Sequence, residues 1–348
     1  MNATMSLEKI NHFPVMLDQI LSIITPQHGG TFIDCTFGSG GYSKEILKHP
    51  KSSVIAFDRD KNVKPFALEI EKIYGEKFQF FNQPFSNISS KVKKTKNLKA
   101  IIFDLGFSLM QIKDLERGFS FDSRGSLDMR MGFNKYSAND VINSLGQNQI
   151  GKILKYLGEE KDHKKIAFQV VKEREKKLLN TEDLVYIIKK IKKNPQKFKK
   201  NVATKSFQAI RIFVNKEINE LVTGLIEATK ILNPGNILAV VTFHSLEDKI
   251  VKFFFKNYSE IKKNPSRYLP RLEQKDKRLF DFTNKKPILP SDEEIEKNPA
   301  SRSAKLRYAI RNEKDFFYPK DLIKKFENYL NLENMEFNLW TNFIYLSY

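Results

Sequence analysis

Apolar residues follow two rhythms in the first hundred positions of this chain. Short unbroken runs at Thr31–Thr36, Ser53–Asp58, Phe78–Asn82 and Ala100–Asp104 predict strands buried on both faces. Between them the spacing is helical. Val15, Leu17, Ile20, Leu21 and Ile24 share one face of Pro14–Ile24, and helices also fit Tyr42–Leu47 and Lys61–Tyr74. Strand–helix alternation of this kind predicts an α/β fold with a mostly parallel sheet, Rossmann-like, covered on both faces.

The alternation stops after Asp104. From Gln111 to Thr204 no segment reads as a strand, and helices are predicted at Asn139–Ser144, Gln147–Leu157, Lys164–Lys176 and Thr181–Lys193. The last has Thr181 as its N-cap and Pro195 beyond its end. Alternation resumes with one long amphipathic helix at Ser206–Leu232, a turn at Asn233-Pro-Gly235, a strand at Asn236–Thr242 and a helix at Leu246–Lys256. Lys262–Arg302 reads as loop, Ala304–Ile310 as a closing strand and Lys320–Leu330 as a helix before an aromatic-rich tail. The expected organisation is a discontinuous core, residues 1–110 and 205–312, an all-helical insertion at 111–204, and a C-terminal extension at 313–348 without an assigned role.

The first strand runs into Asp34-Cys-Thr-Phe-Gly-Ser-Gly-Gly-Tyr42, and the second ends in Asp58. Strand, glycine turn, helix, strand and terminal acid form a nucleoside-cofactor site. A nicotinamide dinucleotide calls for Gly-x-Gly-x-x-Gly, but Ser43 stands at the third position. S-adenosylmethionine has other needs. Gly40 and Gly41 let the backbone approach the ligand, and Asp58, or Asp60 in its place, accepts hydrogen bonds from the ribose. A further carboxylate, Asp34 or Asp104, suits the neighbourhood of a sulfonium.

Composition narrows the partners. Sixty basic against 41 acidic residues give a net charge of +19, which points to a polyanion, although a chain this rich in Lys, Asn, Ile and Phe carries part of that excess as compositional bias. The single cysteine, Cys35, excludes a disulfide framework and a cysteine zinc cluster, and no pattern of His and acids has metal-ligand spacing. Cys35 lies inside the first strand and reads as a buried small residue, which disfavours methylation at pyrimidine C5, a reaction that needs a thiolate, and leaves an amine or a 2′-hydroxyl as acceptor. With no bilayer-length apolar run and no leader pattern, a soluble, cytoplasmic protein is expected.

Ten runs, in order, carry a family resemblance. They are His12-Phe-Pro-Val-Met-Leu17, Asp34–Tyr42, Phe57-Asp-Arg-Asp60, Asp104-Leu-Gly-Phe-Ser108, Glu116-Arg-Gly-Phe-Ser120 and Leu127-Asp-Met-Arg-Met131. Gly158-Glu-Glu160, Phe207-Gln-Ala-Ile-Arg-Ile212, Phe243-His-Ser-Leu-Glu-Asp248 and Asn298-Pro-Ala-Ser-Arg-Ser303 follow. Jointly they resemble the bacterial 16S ribosomal RNA cytosine-N4 methyltransferase family, over nearly all of the chain to about Arg311. The resemblance implies S-adenosylmethionine as methyl donor, a helical substrate domain inserted in the methyltransferase core, and a decoding-region cytosine (helix 44) of 16S RNA, within the small subunit, as target. Its cofactor positions fall on Gly40, Gly41, Tyr42, Asp58, Phe85, Asp104 and Gln111. Three departures stand out. Tyr42 replaces the usual His, leaving a backbone contact there. Ser108-Leu-Met-Gln111 lacks a proline. Lys161 replaces the arginine after Gly158-Glu-Glu160.

Cytosine's exocyclic amine is a poor nucleophile, because its lone pair is delocalised into the ring. The protein must therefore align it and accept its hydrogen. Asp104, at the end of the fourth strand, is the candidate acceptor unless it only holds the cofactor, and Phe107 is a candidate to stack a base. Ser108 and His244 are further catalytic candidates, although Ser245 as N-cap with Asp248 in the first turn accounts structurally for much of the second motif. Phosphate contacts are expected from Lys197, Lys199, Lys200 and Lys205, and oriented ones from Arg117, Arg124, Arg130, Arg211, Arg302 and Arg307. Two alternatives stay open, a non-catalytic RNA-binding assembly factor and a nicotinamide-dependent oxidoreductase; monomer and homodimer are equally compatible.

Overall fold

The computed structural model describes residues 14–92, 97–121, 123, 127–132, 134–192, 201–260 and 278–335. The first elements are α1 (Leu17–Ile24), β1 (Gly30–Asp34), α2 (Gly41–Leu47), β2 (Ser52–Phe57), α3 (Lys64–Tyr74), β3 (Phe78–Phe81), α4 (Ile88–Lys91) and β4 (Leu98–Asp104). Seven helices follow: α5 (Leu109–Lys113), α6 (Ala138–Ser144), α7 (Gln147–Gly158), α8 (His163–Arg174), α9 (Thr181–Ile191), α10 (Thr204–Asn215) and α11 (Glu217–Ile231). The chain closes with β5 (Ile237–Thr242), α12 (Ser245–Ser259), β6 (Phe280–Thr283), α13 (Asp292–Lys297), β7 (Lys305–Arg311) and α14 (Lys320–Glu333). Two compact units result, residues 1–106 with 226–317, and residues 107–225 with 318–348.

The first unit holds a seven-stranded sheet of order β3-β2-β1-β4-β5-β7-β6. β1 to β5 are parallel, while β7 and β6 run antiparallel at one edge. Phe32, Ile33, Ala56, Phe57, Ile101, Ile102, Phe103 and Leu238 to Val241 are fully buried, which is why these strands read as unbroken apolar runs. Each of the larger side chains among them contributes about 1.5–3 kcal/mol on leaving water. The chain builds outward from β1 in one direction through β2 and β3, then returns to β4 on the other side. That reversal opens a crevice beyond the carboxyl ends of β1 and β4, where open α/β sheets bind ligands.

The second unit is helical. α7 packs on α8 and on α10, and α14 packs on α7 and α10. Residues 205–225, assigned to the core from sequence, therefore cluster with the helices, and so does the helix of the C-terminal extension. The long helix expected over Ser206–Leu232 is two helices, broken where Lys216 turns left-handed (φ 49°). No Gly or Pro marks the break, so the apolar periodicity runs through it unaltered. At α9 the N-cap is Asn180 rather than Thr181; its side chain accepts the Asp183 N–H at 3.0 Å. The stretch expected as loop contains the short edge strand β6 and the acidic helix α13. No described helix is long and apolar enough to cross a membrane.

Candidate functional site

The glycine turn leaves β1 at Asp34 and enters α2 at Gly40. Gly40 sits at φ 81°, and a Cβ there would fall 2.6 Å from Ile70 Cδ1. A Cβ on Gly41 would fall 2.3 Å from Pro14 Cγ, so the segment before α1 lies directly on the turn. Both glycines are thus fixed by conformation and packing. Tyr42 secures the same segment: its buried hydroxyl donates to the Val15 carbonyl. Burial, with Asp104 and Asp34 nearby, pushes that hydroxyl's pKa well above its usual value. Its side chain is consumed by this contact, which leaves only its backbone for a ligand.

Asp58 shapes the turn from the end of β2. One carboxylate oxygen accepts the Gly38 N–H at 2.8 Å and the other accepts the Asp60 N–H at 2.8 Å. Asp58 and Asp60 differ in surroundings. Asp60 is buried and caps a short helical turn by accepting the Asn62 N–H at 3.0 Å, whereas Asp58 stays partly open, with lone pairs free for a ribose. Phe85 is half-buried and packs edge-on against Phe103, with centroids 5.0 Å apart.

Acids dominate the crevice. Asp34 is fully buried and accepts from Ser43 Oγ at 2.7 Å and the Thr36 N–H at 3.2 Å. The Thr36 hydroxyl in turn accepts the Asp104 N–H at 2.7 Å, joining the ends of β1 and β4. Asp104 Oδ1 is buried without a hydrogen-bond partner. Burial raises the carboxyl of Asp34 to about 6 and that of Asp58 to about 6. It pushes Asp104 well above the usual range, helped by the neighbouring charges of Asp34, Glu247 and Glu294. Glu294 comes from α13, a region that offered no sequence signal for the site, and it also accepts the Met16 N–H. An unpaired acid among acids calls for a cation or a hydrogen-bond donor, and it repels a pyrophosphate.

His244 lies in the same unit, at the start of α12. It, and not Ser245, is the N-cap. Its Nδ1 accepts the Glu247 N–H at 3.4 Å, while Glu247 accepts the Phe243 N–H at 2.8 Å. Arg307, expected to contact phosphate, is buried and donates to Asp248 at 2.7 Å, with Lys305 on the other oxygen at 3.3 Å. Against its burial, Arg307 holds the Asp248 carboxyl below the usual range. Arg302 is exposed.

The other candidates belong to the helical unit. Ser108 and Gln111 cap α5 reciprocally: Ser108 N–H donates to Gln111 Oε1 at 2.9 Å and Gln111 N–H to Ser108 Oγ at 3.3 Å. The spacing Ser-x-x-Gln was a legible signal for that box. Arg211 is buried, not solvent-facing. It donates twice to Glu217, both at 2.8 Å, and its guanidinium lies 4.5 Å over the Phe107 ring. Phe107 is 40% exposed and runs parallel to Phe119 at 6.0 Å, and Phe119 carries Arg117 at 5.4 Å. Arg117 also donates to the Arg130 carbonyl, and Arg130 pairs with Asp128 at 2.8 and 2.7 Å. Lys205 is exposed and donates to the Glu159 carbonyl. Arg124, Lys197, Lys199 and Lys200 lie outside the described residues.

Comparison with known proteins takes in residues of both units. The model of the MraW methylase family matches residues 9–312. The chain is 39% identical over 304 residues to the Ribosomal RNA small subunit methyltransferase H of Ehrlichia canis (strain Jake), covering 86% of this chain and 99% of that protein. It is 40% identical over 305 residues to the protein of the same name from Caulobacter sp. (strain K31), covering 87% and 94%. α14 lies beyond the matched residues.

Proposed function

The chain belongs to the MraW methylase family, and from that premise we propose that it transfers the methyl group of S-adenosylmethionine to the N4 amine of a cytosine in the decoding region (helix 44) of 16S ribosomal RNA. The observation that carries the reading is the acid-lined crevice at the ends of β1 and β4, with the buried, unpartnered Asp104 Oδ1. When bound, S-adenosylmethionine supplies an electrophilic methyl on a positively charged sulfur. A cation suits a crevice in which burial raises Asp34, Asp58 and Asp104 alike, with neighbouring acids adding to the rise at Asp58 and Asp104. A dinucleotide's pyrophosphate does not, and this disfavours the oxidoreductase reading as firmly as Ser43 does.

In this reading Asp58 accepts from the ribose, Phe85 walls the adenine, and the backbone of Gly40, Gly41 and Tyr42 borders the ligand. Gln111 is the remaining cofactor position, as the resemblance implies. Asp104 accepts a hydrogen of the target amine, which localises the nitrogen lone pair; its raised pKa equips it to take the proton as the bond to carbon forms. The helical unit recognises the RNA, with the exposed part of Phe107, beside Arg211 and Phe119, as an aromatic surface for a base. Ser108 and His244 serve through their helix caps, and the exposed Lys205 and Arg302 meet phosphate.

The test is incubation with labelled S-adenosylmethionine and small-subunit RNA, followed by nucleoside mass spectrometry. N4-methylcytidine is the expected product. Asp104→Ala is expected to lower turnover by 100-fold or more, on the order of general-base contributions. Label in another nucleoside, or full turnover in an Asp104→Ala protein, overturns the assignment.

A further inference from the structure

α14 lies outside the residues that define the family, yet its last residue is among the most constrained in the helical unit. The Glu333 carboxylate is buried and accepts the Ile218 N–H at 2.9 Å, the Asn219 N–H at 2.8 Å and the Asn219 side-chain amide at 2.7 Å. Those backbone donors belong to the first turn of α11, whose N–H groups have no partner within their own helix. A residue more than a hundred positions away thus does the work of an N-cap. The contact is reinforced by Asn219 donating to the Leu330 carbonyl at 3.2 Å and Lys216 donating to Asn334 at 3.1 Å. Burial raises the Glu333 carboxyl to about 8, so its site is costly to maintain.

The turn held in this way has a second duty. Glu217, the residue before Ile218, grips Arg211 with two hydrogen bonds, and Arg211 covers Phe107. The break at Lys216, in a left-handed conformation that a lysine adopts at a cost, turns the chain between Arg211 and Glu217. No glycine stands at the break, Asn215-Lys-Glu217, to make that conformation easy. Asn215, just before the break, donates to the Met129 carbonyl and accepts the Met131 N–H, tying the loop that carries Arg130 to the same elbow. Glu333 therefore sits at one end of a continuous chain of contacts, Glu333 to the first turn of α11, Glu217, Arg211 and Phe107.

We propose that Glu333 is a positioning residue for RNA methylation, by which α14 latches the α10–α11 elbow and fixes the Arg211–Phe107 pair against which the target base docks. This rests on the proposed RNA reaction for the part played by Phe107. The latch itself stands on the contacts alone. It gives the C-terminal extension a function: a helix added beyond the family's common span tunes substrate docking and leaves the cofactor residues of the other unit untouched.

The experiment uses the full chain and has two arms. In the first, hydrogen exchange is followed in peptides covering residues 211–219. Glu333→Gln keeps the volume but turns an amide N–H₂ toward N–H donors, and exchange there should be accelerated roughly tenfold or more, with peptides of the β-sheet unchanged. In the second, kcat/KM for small-subunit RNA and the Kd of S-adenosylmethionine are measured for Glu333→Ala, Phe107→Ala and the double variant. Glu333→Ala should lower kcat/KM about tenfold, mostly through KM, while the cofactor Kd stays within about twofold. Added to Phe107→Ala it should cost less than about twofold more, since both act through one contact. Multiplicative losses, or an equal loss of cofactor affinity, would overturn the positioning role, and unchanged exchange would overturn the latch. If no variant and no wild-type protein methylates RNA, the reaction assigned above fails while the exchange arm still decides the latch.

Discussion

Replacing Asp34 by Asn should make the ligand-free protein more stable and a worse binder of a cation. Asp34 is fully buried, and its carboxyl is raised to about 6 from the ordinary 3.8 because ionising it in the crevice is costly. A gap of about two pH units corresponds to about 3 kcal/mol. The sign follows from proton binding. Between 3.8 and 6 the folded state holds a proton that the unfolded state has lost, so stability present at low pH is lost as pH rises through 6. Asn carries no charge to bury, and two hydrogen bonds survive: its oxygen keeps the Thr36 N–H, and its amide donates to a Ser43 hydroxyl turned around to accept, while the Ser43 backbone N–H, which also donates to Asp34, offsets part of the gain. At pH 8 the Asp34→Asn protein should therefore gain up to about 3 kcal/mol, roughly 4 °C in melting temperature for a chain of this size. At pH 5 about half of the gain should remain, and it should vanish only below about pH 4, near the unfolded value. Melting curves of ligand-free protein from pH 5 to pH 8 measure it, with calorimetric Kd values for S-adenosylmethionine and S-adenosylhomocysteine alongside. The charged ligand should lose more affinity than the neutral-sulfur one. A folded Asp34→Asn protein that melts at or below wild type at pH 8 would refute the claim that this carboxylate is held ionised at a cost.

Asp58→Asn should raise the Kd of S-adenosylmethionine about 100-fold, since it removes charge-assisted bonds worth about 1.5–3 kcal/mol each, whereas Asp60→Asn should act mainly on stability through its cap; calorimetry giving both variants equal affinity would reverse the two roles. Tyr42→Phe strands the Val15 carbonyl and should cost about 1–3 kcal/mol of stability, read by denaturant unfolding, with cofactor affinity unchanged; a matching loss of affinity would mean that the hydroxyl reaches the ligand.

The sheet was legible because strands buried on both faces write themselves as apolar runs, and five parallel strands fall within two residues of their expected ends. The glycine turn and Asp58 were legible because their spacing is local. What escaped was non-local or too short. β6 is a four-residue edge strand with two polar positions, below what alternation can register. Glu294 and Glu333 act on residues far away in the chain, so no spacing announces them. The break at Lys216 was hidden because apolar positions repeat across it and the usual left-handed residues are absent. The cap of α12 escaped because the imidazole of His244 itself accepts from the Glu247 N–H, a role for which the neighbouring Ser245 is the commoner residue type.

The arginines carry a consequence for recognition. Arg211 and Arg307 are buried in ion pairs, Arg130 is held by Asp128, and Arg174 and Arg311 donate to backbone carbonyls. Their forks are spent on the fold. The charge left at the surface of the described helices is largely lysine, with Lys164, Lys165, Lys172, Lys189, Lys190 and Lys205 all exposed. An ammonium group is a point charge that contacts phosphate without reading sequence. If the net charge of +19 serves RNA binding, affinity should then fall steeply with salt while choice of base stays nearly constant across the titration. Selectivity must reside in the shape of the RNA and in the uncharged surfaces that meet the base, foremost the exposed part of Phe107. An RNA-binding surface built this way tolerates the loss of any one lysine, and it is vulnerable at the few contacts that hold its aromatic ring in place.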